Sequence, residues 1–160
     1  MSSLISTNTD LATLEFEGHR IPALIQATGK KGTEEFLGFF AGMIRNANTR
    51  QAYLRAWDRF DSWSKQAGIK HLSDIRPLHV ATYIETISKD LSASSVKQHR
   101  AALSKCFDFL VVRQITDENP VANVAGPKLK VTKGKTPTLT DEEFLDLIES
   151  IPDDLSLIHI

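Results

Sequence analysis

Asn48-Thr-Arg-Gln-Ala-Tyr-Leu-Arg-Ala-Trp-Asp-Arg-Phe-Asp-Ser-Trp63 sets its large apolar residues at helical spacing. At 100° per residue Tyr53, Leu54, Trp57, Phe60 and Trp63 fall on one side, with Gln51, Arg55 and Ser62 opposite. Thr49 is the expected cap, and Gly68 suits the left-handed conformation that closes a helix near Ala67. Such a segment buries an aromatic stripe and leaves a polar face outside, so it needs other helices to pack against.

Those helices lie on both sides of it. Upstream, Thr33 is read as the cap of a helix whose apolar face is Phe36, Leu37, Phe39, Phe40, Met43 and Ile44, broken by residues 46–48. Downstream, a third helix follows Pro77 with Val80, Tyr83, Ile84 and Ile87 inward. The fourth runs from about Ser92 to Arg113 with Val96, Leu103, Phe107, Leu110 and Val111 toward the core, while Ser94, Gln98, Ala101 and Lys105 align outside. The fold class is therefore all-α, a four-helix domain over residues 33–125. Residues 1–32 read as an N-terminal arm, either a short strand or loose chain. After Asp117-Glu-Asn-Pro120 and a short helical turn, residues 126–139 have the Gly, Pro and Lys content of an interdomain linker. A capping box, Thr140-Asp-Glu-Glu143, then opens another helix.

The net charge of −1 hides an uneven distribution. Residues 49–135 carry fifteen Lys/Arg against eight Asp/Glu, whereas residues 136–160 carry none against seven. The basic middle would gather phosphates, although solvated helix faces have the same composition. The acidic residues near 141 already have a local role at a helix start. A single cysteine, Cys106, rules out a disulfide scaffold and fits a reducing, cytoplasmic setting. Histidines 19, 71, 79, 99 and 159 have no partner at metal-ligand spacing, no glycine-rich phosphate loop exists, and no metal or other cofactor is expected. Tyr53 and Tyr83 belong to buried faces, so neither reads as a nucleophile.

Thr49, Tyr53, Ala56-Trp57, Phe60 and Trp63, followed by Leu91-Ser-x-Ser-Ser-Val96, Leu103, Phe107, Leu110 and Asn119-Pro120, resemble the core-binding domain of the tyrosine recombinases, the phage integrases and Xer-like proteins. Leu139-Thr-x-x-Glu143 resembles the opening of that family's catalytic domain. The resemblance implies one half of a clamp on double-stranded DNA, with the second and fourth helices facing the major groove. Carried over by position, it implicates Thr49, Arg50, Gln51 and Arg55 on one helix and Ser94, Lys97, Gln98 and Lys105 on the other. Lys128, Lys130, Lys133 and Lys135 of the linker would add phosphate contacts. The family's catalytic arginines, lysine, histidines and tyrosine would follow the linker, and none can be placed in residues 140–160, which read as the truncated start of that domain. The parent would be an enzyme that self-associates on DNA, while this chain is expected to be inactive.

Leu155-Ser-Leu-Ile-His-Ile160 matches one reading frame of a transposase mosaic-end sequencing adapter, so read-through after Asp154 is expected, the alternative being a natural strand. Two other functions stay open: a non-catalytic helical DNA-binding regulator, and a helical protein-interaction domain whose basic face is merely solvated.

Overall fold

A computed structural model of the chain describes residues 14–127, with Glu142 and Asp146, both helical, beyond them. By internal contacts the chain divides into Met1–Leu129 and Lys130–Ile160. The expected linker lysines 128, 130, 133 and 135, the capping box at Thr140 and Glu143, and the ending 155–160 lie outside the described residues.

The described residues are mostly helical, as an all-α domain requires. They run β1 (Glu15–Phe16), β2 (His19–Arg20), α1 (Ala23–Gln26), α2 (Gly29–Gly38), a π-helical turn (Phe39–Met43), α3 (Ala47–Gln66), a 3₁₀ turn (Leu72–Asp74), α4 (Pro77–Ser88) and α5 (Ala93–Val112).

Each long helix starts and stops for a local reason. Asn46, in extended backbone, accepts from the amides of Asn48 and Thr49 at 2.9 and 3.1 Å and so caps α3. Thr49, the cap expected from sequence, is three residues inside. Gly68 at φ +77° ends α3, with Gly68 N–H donating to Lys65 O at 3.1 Å and Ile69 N–H to Ser64 O at 2.9 Å. Pro77 opens α4, where the Arg76 amide donates to His79 Nδ1 at 3.0 Å. Ser92 Oγ accepts from the Ser95 amide and caps α5.

Two further departures have clear causes. Thr33 is inside α2 rather than its cap, its hydroxyl donating to Gly29 O at 3.0 Å, because the chain enters the helix at Gly29 with φ +88°. The π-helical turn widens the next turn by one residue, which lets Phe39 and Phe40 both point inward and rotates Met43 out to 65% exposure. Val111, placed in the core by the wheel, is half-buried.

The core centres on Trp57. Its ring meets Phe36 edge-on at 5.4 Å, Phe60 at 5.8 Å and Phe107 of α5 at 5.5 Å, and Phe60 continues to Tyr83 of α4 at 5.0 Å. Truncating a buried aromatic in such a cluster costs about 3–5 kcal/mol. Cys106 is fully buried among these groups, and burial pushes its thiol well above the ordinary range. The segment expected as a strand or loose arm is, from Leu14 on, packed: Ile21, Leu24 and Ile25 are buried, and the Leu24 amide donates to Asp61 of α3 at 3.2 Å.

Candidate nucleic-acid interface

Helices α3 and α5 are twenty residues each, about 30 Å long, and pack directly on each other. Their inner stripes, Tyr53, Leu54, Trp57 and Phe60 against Val96, Leu103, Phe107 and Leu110, hold the pair in register. That burial turns the remaining positions outward. Arg55 on α3 and Ser94, Lys97, Gln98 and Lys105 on α5 are all exposed. Among the described residues, neither Lys97 nor Lys105 lies within 4 Å of a carboxylate oxygen. The Lys105 ammonium stands 5.9 Å from the centre of the Tyr53 ring.

At one end of this pair Thr49, Tyr53 and Lys105 line a groove of about 850 Å³ with Phe39, Met43 and Phe109. The exposed Met43 thus follows from the π-helical turn, and Thr49 and Lys105, chosen separately on two helices, share one surface.

Arg50 and Gln51 are placed differently. Both are half-buried and turned toward the β1–β2 hairpin rather than toward solvent. Arg50 Nε donates to Glu17 Oε1 at 2.9 Å and a terminal nitrogen donates to Ile44 O at 2.9 Å. Gln51 Nε2 donates to Glu17 Oε2 at 3.2 Å, and Gln51 Oε1 lies 2.9 Å from His19 Nε2. His19 Nδ1 contacts the Asp58 carboxylate. The hydrogen bond from Arg50 holds the Glu17 carboxyl below its ordinary pKa. Partial burial alone would lower the pKa of His19, but the bonds to Asp58 and Gln51 outweigh it, and the net shift is upward.

Several charged residues in and behind this surface were not singled out from sequence. Arg59, one turn beyond Arg55, is exposed and pairs with Asp90 at 3.4 Å; the i, i+4 spacing was the available signal. Arg45 and Arg113 rim the groove beside Lys105. Arg100 is structural: its Nε donates to Val124 O at 2.6 Å and its Nη2 to Val121 O at 3.4 Å, returning the chain after α5 onto that helix. Burial and the nearby Arg59 charge lower the pKa of His99, which lies 3.4 Å from the Tyr83 hydroxyl. The described residues hold no group of three or more His, Cys, Asp or Glu that could bind a metal, and no described helix is long and apolar enough to cross a membrane.

Residues 38–114 match the family described as phage integrase, N-terminal SAM-like domain. The chain is similar to the tyrosine recombinase XerD of Chlorobaculum tepidum, 28% identical over 124 residues, which make up 76% of this chain and 40% of that protein. It is also similar to a tyrosine recombinase of Pseudothermotoga lettingae, 34% identical over 62 residues, 37% of this chain and 22% of that one. The chain spans less than half the length of either relative. No solved structure matches it.

Proposed function

We propose that this chain, which belongs to the tyrosine recombinase family through its core-binding domain, grips duplex DNA with α3 and α5. One observation carries the reading: two packed helices leave Arg55, Lys97 and Lys105 exposed beside the uncharged readers Ser94 and Gln98. Fixed cations neutralise phosphates, and an amide with a donor and an acceptor side by side pairs with a base edge in the major groove, which is wide enough for one helix. Thr49 and Arg59 extend the same grip, and the linker lysines 128, 130, 133 and 135 would add phosphate contacts along the strand.

In this reading the domain works in the cytoplasm on a recombination or attachment site, as the DNA-holding half of an enzyme that integrates or recombines a mobile element. Strand cleavage through a phosphotyrosyl link, and assembly of several copies on DNA, belong to the full-length parent. The described residues contribute the hold and its sequence preference.

Titration of a fluorescent duplex at several salt concentrations tests this. Four phosphate contacts, by Arg55, Arg59, Lys97 and Lys105, give a log–log salt slope of about −3.6. No binding at low salt, or a slope near zero, would remove α3 and α5 from any DNA interface and favour a protein-interaction domain.

A further inference from the structure

Glu17 sits at the tip of the hairpin, in a two-residue turn with Gly18. Both take left-handed backbone, φ +49° and +82°, which suits glycine but not a residue with a long side chain. Its carboxylate is spread over two residues of α3 that the family resemblance had placed on DNA. One oxygen accepts from Arg50 Nε at 2.9 Å and the other from Gln51 Nε2 at 3.2 Å. To a guanidinium and an amide, a carboxylate and a phosphodiester are alike: each is a monoanion offering two acceptor oxygens.

The hydrogen bonding also fixes the charge of the clip that holds the hairpin down. Gln51 must turn its NH₂ to Glu17, which offers only acceptors there, so its oxygen faces His19 Nε2. Nδ1 of the same ring faces Asp58. Both ring nitrogens must therefore donate, which only the imidazolium can do. The charged groups around the ring are Glu17 on its own hairpin and Arg55 and Asp58 on α3, with Arg20, Asp61 and Lys65 lining the cleft beside it. Strands of two residues add little to this hold, since so short a hairpin is marginal by itself.

We propose that the β1–β2 hairpin is a latch on the DNA-binding face, in which the Glu17 carboxylate occupies the seat on Arg50 and Gln51 that a DNA phosphodiester takes when the hairpin lifts. This rests on the DNA-binding reading of α3 and α5. With the latch closed, Arg55, Lys97 and Lys105 make the first contacts. Opening it adds one phosphate contact at the start of α3.

The test uses the whole chain, a labelled duplex and the variants Glu17→Gln, Arg50→Gln and the double variant, each checked by thermal melting. Because the wild-type hairpin lifts in only part of the bound molecules, Glu17→Gln is expected to steepen the salt slope by up to about 0.9 and to tighten binding by up to roughly 15-fold at about 50 mM salt, the worth of one phosphate contact. In the Arg50→Gln background the gain disappears. A gain that survives there means Glu17 only repels DNA from a distance, and no gain at all means Arg50 never meets phosphate; either result overturns the latch while leaving the α3–α5 grip intact. If neither wild type nor Glu17→Gln binds duplex, the grip and the latch fall together. Hydrogen exchange at the Ile21 amide, bonded to Leu14 O at 3.0 Å, supplies a readout on the unmodified protein. Faster exchange with duplex bound supports the latch, and unchanged or slower exchange overturns it.

Discussion

Replacing Lys105 by alanine separates folding from binding more cleanly than any other change on this surface. Its ammonium is exposed, meets no carboxylate oxygen within 4 Å among the described residues, and stands 5.9 Å from the Tyr53 ring centre. A cation–π contact that long at an exposed site contributes about 0.5 kcal/mol, and alanine returns part of that through helix propensity. For a domain of this size the melting temperature should fall by no more than roughly 4 °C. On DNA the loss is larger. One phosphate contact contributes about 0.9 to the salt slope, so between 1 M salt, where it contributes nothing, and 50 mM it accounts for roughly 15-fold in affinity, about 1.6 kcal/mol. At 150 mM the same slope leaves about fivefold. The loss should be equal on cognate and scrambled duplexes, because a point charge reads no base. Anisotropy titrations at four salt concentrations, beside thermal melts, measure both quantities. An unchanged slope would refute Lys105 as a phosphate contact, and a melting point lowered by more than about 8 °C would show that the side chain supports the fold instead.

Three further changes probe other parts of the molecule. Gln98→Ala should leave the salt slope unchanged while relaxing preference at one base pair, costing about 1–3 kcal/mol on the cognate site; equal discrimination by the two proteins would make Gln98 a solvated residue. Phe107→Ala, which empties the space against Trp57 at 5.5 Å, should cost about 3–5 kcal/mol in a urea titration, and a loss under about 1 kcal/mol would contradict the packing described. Stability should also depend on pH through His19: its pKa is raised above 6.5 in the folded chain, so its contribution is full below that value and is lost as pH rises through the higher folded value. Urea midpoints between pH 6 and 9 should show that decline in the wild type and a flatter profile in Asp58→Asn, and identical profiles would disprove the ion pair. The depressed carboxyl of Glu17 acts in the opposite sense and in a separate window, below its ordinary value of 4.5.

What could be read from sequence was whatever is decided within a few residues. Pro77, the start of α5 near Ser92, the Gly68 stop and the inner stripe of α4 depend on local backbone chemistry and on a 3.6-residue period, and all four lie where that reading puts them. The reading fails where two local rules compete or where the period changes. Thr33 and Thr49 are good caps, but Gly29 and Asn46 lie just upstream and start the helices first. Met43 is outside only because a π-helical turn intervenes, and nothing in Phe-Phe-Ala-Gly-Met announces one. The interface shows the same division. A helical wheel identifies Arg55, Ser94, Gln98 and Lys105 as outward, since that follows from their own helix. It cannot tell that Arg50 and Gln51 are met by a hairpin more than thirty positions upstream. Partners so distant in sequence are set by tertiary packing, which no local pattern encodes.

Trp57 and Phe107, whose rings meet in the core, are separated by fifty positions of chain. Closing a loop of that length costs chain entropy before the contact repays it, so forming the α3–α5 seam is expected to weigh on the folding rate. Neither helix alone presents the pair of surfaces on which the proposed grip depends. A partly folded chain would therefore offer DNA scattered charges, and would first gain its oriented surface in the step that completes the core.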